Sequence, residues 1–199
     1  MFNLIIATSN KHKMFEIRPL FRNRPVALKS LADFDRIPQI IENGDTFAAN
    51  AAIKARAVFE YFSVPVLADD SGLEVPALDN APGIHSARYA GEHANHEKNN
   101  LLLLKNMEGF AGQERQARFV CTLCYKDALR EKFFTGISDG YILESLAGRG
   151  GFGYDPLFFF PQMNKTFAQL TPEEKNRHSH RGRALQKFLK WLDRQNFLE

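Results

Sequence analysis

The sequence predicts an α/β fold in which a mixed, twisted sheet carries helices on both sides. Three observations lead there. An apolar run, Phe2 to Ala7, gives way to the N-capping residues Thr8-Ser9-Asn10 and then to a helical stripe of Met14, Ile17, Leu20 and Phe21. A second apolar run, Val64 to Ala68, follows an amphipathic stretch and leads into Asp69-Asp70-Ser71-Gly72. The chain from Gln116 to Leu143 is rich in β-branched and aromatic residues and reads mostly as strand. Strands alternating with helices build layered sheets, with ligand sites where strands feed into loops.

Taken in order, the first helix begins at Lys11 and is stopped by Pro25. The second begins near Asp45-Thr46 and turns Phe47, Ala51, Ala55, Val58 and Phe62 inward. Val64 to Ala68 is a buried strand ending at the acidic pair. Ala81-Pro82-Gly83 is a loop, and a third helix spans about Asn95 to Met107. Ser138-Asp139-Gly140 signals a turn within the strand-rich region, and Leu157 to Phe160 is a further strand. Thr171-Pro172-Glu173-Glu174 supplies a cap, a proline at the first helical position and a capping-box glutamate. Ser179 caps a final helix that buries Leu185, Phe188, Leu189 and Leu192. No repeat or linker interrupts the chain, so residues 1–199 read as one domain.

Composition narrows the class. The chain is 44% hydrophobic and 25% charged, with eighteen phenylalanines to fill a core. A net charge of +3 is too small for a nucleic-acid platform. No run approaches the roughly 18 apolar residues of a membrane span, and the N-terminus lacks a basic leader, which leads us to expect a cytoplasmic protein. Cys121 and Cys124 form a C-x-x-C on a strand, where an offset of three puts the thiols on opposite faces, so they are expected to be unpaired.

Several segments carry chemistry. Thr8-Ser9-Asn10-Lys11-His12-Lys13 lies at a strand-to-helix junction, where backbone N–H groups and the helix dipole suit a phosphate; no P-loop pattern is present. Its bland alternative is a surface helix with solvated lysines. Lys54 falls within the apolar arc of Phe47, Ala51 and Val58, and a lysine there needs an anionic partner or a cleft, unless its stem snorkels. Asp69 and Asp70 place two carboxylates together after a buried strand, which suits Mg²⁺ with Glu42 as a second ligand, or else merely starts a turn. Gly148-Arg149-Gly150-Gly151-Phe152-Gly153 spells G-x-G-x-x-G but precedes a strand, so it reads as a loop presenting Phe152, Tyr154 and Asp155 to a base. Lys175 to Arg183 crowds cations, His180 and Arg181 among them, at a helix start, where the dipole disfavours them and a ligand would justify them.

Five ordered blocks, taken together, resemble the inosine triphosphate pyrophosphatase family over nearly the whole chain. They are Ala7 to Lys13 with Glu16, Ala68 to Leu73, Ala81 to Tyr89, Gly150 to Pro156, and Glu174-Lys175 with Ser179 to Gly182. The resemblance implies an elongated two-lobed α/β domain with a central mixed sheet, an active-site cleft between the lobes, and a homodimer. It implies Mg²⁺-dependent hydrolysis of ITP, dITP and XTP to the monophosphate and pyrophosphate, which clears these nucleotides from the pool. Thr8, Ser9, Asn10, Lys11, His12, Lys13 and Lys54 would hold the triphosphate, with Lys13 and Lys54 acting in catalysis. Glu42 and Asp70 would bind the metal; Asp70 would activate water, with Ser71 beside it. Phe152, Gly153, Tyr154, Asp155, Lys175, His180 and Arg181 would form the nucleoside pocket. Relatives often carry Glu where this chain has Ala49. Two other readings stay open: a septum-formation-inhibitor-like nucleotide pyrophosphatase with another base preference, and a non-catalytic nucleotide sensor.

Overall fold

The computed structural model describes residues 1–91 and 95–195. Seven strands form one mixed sheet in the order β2-β1-β3-β4-β5-β6-β7. They are β1 (Phe2–Ile6), β2 (Val26–Ser30), β3 (Val66–Glu74), β4 (Gln116–Lys126), β5 (Glu131–Ile142), β6 (Phe158–Phe160) and β7 (Lys165–Thr166). The helices are α1 (Lys11–Ile17), α2 (Phe47–Phe62), α3 (His96–Asn106), α4 (Pro172–His178) and α5 (His180–Leu192). β1 pairs in parallel with β2 and β3, whereas β6 pairs antiparallel with β5 and β7. By contacts the chain divides into two compact units: residues 1–70, 121–136 and 181–199, and residues 71–120 and 137–180.

In the first unit the two-residue period of the strands sorts side chains onto two faces. Leu4, Ile6, Leu67, Cys121, Leu123 and Tyr125 meet Met14 and Ile17 of α1 and Ala184, Leu185, Phe188, Leu189 and Leu192 of α5. Ile5, Ala7, Val66, Ala68 and Cys124 meet Ala51, Ala52, Ala55 and Val58 of α2. Helices therefore cover both faces, and each fully buried Leu or Phe contributes about 1.5–3 kcal/mol. The two cysteines are free and sit in opposite layers. The second unit is built on aromatics: Phe119 lies parallel to Phe167, ring centroids 5.7 Å apart, and packs on Phe158 at 4.7 Å. Leu73, Leu103, Met107, Leu157 and Phe160 complete that core.

Several local expectations are corrected. α1 stops at Ile17, well before Pro25, because Pro19 has no N–H to continue the ladder; Arg18–Phe21 tighten into a 3₁₀ turn that still buries Phe21. β2 and β7 have no counterpart in the sequence reading; they are short, and strand pairing across the sheet defines them. β3 does not end before the acidic pair but runs through it to Glu74. The turn between β4 and β5 falls at Asp127, whose carboxylate accepts from the N–H groups of Leu129 and Arg130. Ser138-Asp139-Gly140 lies inside β5, where the Ser138 hydroxyl donates to the His178 carbonyl at 2.8 Å. Ser179 stands where it is expected, in extended backbone directly before α5, and it also ends α4, so no loop separates the two helices. Among the described residues, no helix is long and apolar enough to cross a membrane.

Candidate active site

The continuation of β3 through Asp69 and Asp70 decides the electrostatics of the first unit. Neighbouring strand residues point to opposite faces, so the two carboxylates serve different surroundings.

Asp70 lies on the α2 side. Lys54, only 8% exposed on the inward face of α2, donates to Glu42 and stands 3.5 Å from Asp70 Oδ1. The anionic partners required of a lysine in an apolar stripe are thus present. Burial would depress the Lys54 ammonium, but Asp70 and Glu42 outweigh it and raise its pKa. Asp70 is displaced upward: burial raises it, and the Glu42 and Asp69 carboxylates add to that against the pull of Lys54 and Lys13. Its Oδ2 is buried and has no hydrogen-bond partner. A buried acceptor left open is costly, so such an atom points to a water, a ligand or a cation.

Asp69, 2% exposed, faces α1 and α5. It accepts from the Lys13 ammonium, from Arg181 Nε at 2.9 Å and from the Cys121 thiol at 3.1 Å. Burial opposes its ionisation, yet Arg181 and Lys13 prevail and hold the carboxyl well below the usual range. Burial and the neighbouring carboxylate push the Cys121 thiol well up, so it stays protonated and donates. Arg181 also pairs through Nη1 with the buried Glu16. Arg181 therefore has two carboxylate partners in the first unit, Asp69 at Nε and Glu16 at Nη1, and they offset the unfavourable cation at the start of α5.

Removing one partner of a buried ion pair leaves the others unpaired, at about 3–5 kcal/mol. Arg181→Met is therefore expected to lower the melting temperature at neutral pH by on the order of 10 °C. The sign with pH follows from the depressed Asp69 carboxyl: its contribution is present above the unfolded carboxylate pKa of about 4 and is lost as pH falls through the folded value. The gap between the two proteins should narrow on acidification, as differential scanning calorimetry from pH 7 to pH 3 would reveal. A constant gap would contradict the pairing.

The loop at the head of α1 also differs in detail. Asn10 caps the helix, its side-chain oxygen accepting from the N–H groups of His12 and Lys13, while its own N–H donates to Thr8 Oγ1. Those N–H groups are thus engaged within the loop. Ser9, Lys11 and His12 are exposed and Thr8 is nearly buried. Lys13 forms an ion pair with Asp69, and among the described residues Lys11 has none.

In the second unit, Asp155 is 2% exposed and accepts from the Phe152 N–H at 2.7 Å and from Lys175 Nζ at 2.5 Å. Lys175 Nζ lies 4.9 Å from the Phe152 ring centre, a cation–π distance. Gly151, at φ +71°, sits so close to Asp155 that a Cβ there would lie 2.1 Å from Oδ2. Only glycine fits at this position, which is one of the unspecified places of the G-x-G-x-x-G spelling. Tyr154, expected to present itself to a base, is a core residue instead: it is 3% exposed and its hydroxyl donates to the Ser86 carbonyl. His180 is also buried, its ring stacked 4.6 Å from Phe119. Gly153 accepts through its carbonyl from Asn100 Nδ2 at 3.0 Å. Ser71 is half-buried on β3.

Sequence reasoning did not identify the partners that organise these groups. Glu16 and Asp69 as acceptors for Arg181, Asp155 as the acceptor for Lys175, and Asn100 all went unassigned. The signals were faint: a glutamate beside the buried Ile17, and two asparagines on an amphipathic helix.

The Ham1 family model matches residues 4–191. A Geobacillus kaustophilus protein named dITP/XTP pyrophosphatase is 48% identical over 188 residues, 94% of this chain and 92% of its own. A Listeria monocytogenes protein of the same name is 48% identical over 193 residues, 96% of this chain and 95% of its own. The structure of a HAM1 protein from Coxiella burnetii superposes with a TM-score of 0.89 at 36% identity, covering 98% of this chain and all of that one. At this identity, over almost the full length of both partners, the chain belongs to the Ham1 family.

Proposed function

We propose that the protein hydrolyses oxo-purine nucleoside triphosphates, ITP, dITP and XTP, to the nucleoside monophosphate and pyrophosphate. The observation that carries this reading is Asp70 Oδ2, a buried acceptor with no hydrogen-bond partner beside Lys54 and Glu42. The whole chain acts as one catalytic domain, consistent with the dITP/XTP pyrophosphatase name of relatives matched end to end.

The chemistry follows from the residues. Water attacks the α-phosphorus; its proton passes to Asp70, whose raised pKa suits a base, and the bond to the bridging oxygen breaks to release pyrophosphate. Lys54 and Lys13 stabilise the charge that spreads over the phosphoryl oxygens. An ammonium has three donors, so the contacts of Lys13 with Asp69 and of Lys54 with Glu42 orient each group without exhausting it. Thr8, Ser9, Asn10, Lys11 and His12 contact the outer phosphates.

Among the described residues there is no cluster of three metal-binding side chains. Mg²⁺ does not require one, since it is often held by one or two carboxylates together with water and phosphate oxygens. Glu42 and the open oxygen of Asp70 fit that donor set, and Asp69, saturated by Arg181, Lys13 and Cys121, does not. Bound there, Mg²⁺ would neutralise charge on the leaving pyrophosphate.

Phe152 stacks on the base, and Lys175, positioned by Asp155, donates to its oxo group. Ser71 adjoins the reacting phosphate; Gly153 and His180 shape the base site from behind. The protein works in the cytoplasm as a homodimer, whose interface the exposed Phe133 and Ile137 of β5 could supply. Light scattering at micromolar concentration is expected to give about twice the mass of one chain, and a monomer would refute that assembly. The activity itself is tested by pyrophosphate release across a nucleotide panel, with and without Mg²⁺. No release from any oxo-purine triphosphate would overturn the assignment.

A further inference from the structure

The loop carrying Phe152 is held from α3. Asn100 and His96 stand four residues apart, on one face of that helix. The Asn100 amide, in a residue 6% exposed, donates to the Gly153 carbonyl at 3.0 Å, and the His96 ring lies 6.1 Å from the Phe152 ring, centroid to centroid. Gly153 is at φ +65°, so the chain turns at the point where Asn100 grips it. On the other side, Asp155 accepts from the Phe152 N–H and from Lys175. The loop is thus clamped at both ends, and Asn100 provides a buried side-chain donor to its backbone at the α3 end. The other amide atom, Oδ1, is buried with no hydrogen-bond partner. An asparagine in mid-helix is a mediocre helix former. With half of its amide unsatisfied, its presence in a buried mid-helix position is not explained by packing alone.

We infer that Asn100 is a positioning residue for the base: it fixes the Phe152–Asp155 loop in register with Lys175 and so sets nucleotide affinity without touching the reacting phosphate. The inference rests on the functional reading above, in which Phe152 and Lys175 meet the base. Asn100→Asp keeps the shape but replaces the donor by an acceptor facing the Gly153 carbonyl, and Asn100→Ala removes the contact altogether. In both, KM for ITP is expected to rise about 10-fold, the scale of one lost hydrogen bond, with kcat within about threefold of the unmodified enzyme. Inhibition by inorganic pyrophosphate, which probes the phosphate-binding residues alone, should be unchanged.

A second readout needs no activity. Hydrogen exchange in peptides spanning residues 150–156 should accelerate in both variants, while peptides of α1 and β1 stay as protected as before. Unchanged KM and unchanged exchange in folded variants would overturn the inference. So would a fall in kcat at constant KM, or failure of both variants to fold, which would make Asn100 a plain core residue. If the unmodified protein released no pyrophosphate, the functional reading would fail by itself, whereas the exchange result would still decide whether Asn100 holds the loop.

Discussion

Asp70→Asn is expected to lower kcat for pyrophosphate release by at least about 10²-fold while leaving the fold intact. The amide matches the carboxylate in shape, so β3 keeps its pairing, but it cannot accept the proton of an attacking water and is a poor metal ligand. Lys54 keeps Glu42 as a partner, which limits the electrostatic penalty on the unmodified side of the pair. The informative contrast is Asp69→Asn, one residue away and on the opposite face. That change unsettles Arg181, Lys13 and Glu16 and should act first on stability, visible as a lowered melting temperature. Turnover and calorimetry on the two variants separate the roles. A well-folded D70N protein with near-normal turnover would remove Asp70 from the centre of the reaction.

The family resemblance singles out Asp70, but local rules alone do not separate the two aspartates, and the reason is range. The helical period placed Lys54 within an apolar arc, and its need for anionic partners followed from local rules. Strand continuation through Asp69-Asp70 depends instead on groups 56 and 112 residues away, Lys13 and Arg181, which make a buried carboxylate tolerable in mid-strand. Without them, a turn is the natural reading of two adjacent aspartates. Range also governs Arg181: the dipole argument detects a cation needing compensation, and Asp69 and Glu16, 112 and 165 residues away, supply it. Tyr154 lay among glycines that suggested exposure, yet its partner, the Ser86 carbonyl, belongs to a block 68 residues earlier. Caps were readable because they are local: Thr46, Asn95 and Thr171 each accept from the N–H three residues on, as their sequence context required. The five sequence blocks sufficed to place the chain in its family, since they need only be present in order.

Base selectivity is the second large effect. ITP and XTP should be hydrolysed about 10²-fold to 10⁴-fold better than ATP in kcat/KM, the range found when a polar site meets the wrong analogue. An oxo group accepts where the amino group of adenine donates. Lys175 offers donors only, and Asp155 holds it in place at 5% exposure, so adenine would set its N–H₂ against an ammonium that cannot accept. Arg181 engages Asp69 and Glu16 through Nε and Nη1, whereas Lys175 pairs with Asp155, so the larger share of the discrimination is expected from Lys175. Lys175→Met should therefore compress the ITP-to-ATP ratio by at least about tenfold, mainly by slowing ITP, because the donor serves the favoured substrate. Arg181→Met, assayed at a temperature where it remains folded, should leave the ratio nearly unchanged, since its guanidinium acts through stability. The comparison of those two ratios is the measurement. Equal kcat/KM for ATP and ITP in the unmodified protein would defeat the selectivity, and a ratio that collapses in the Arg181 variant but survives in the Lys175 variant would return the recognition of the base to Arg181.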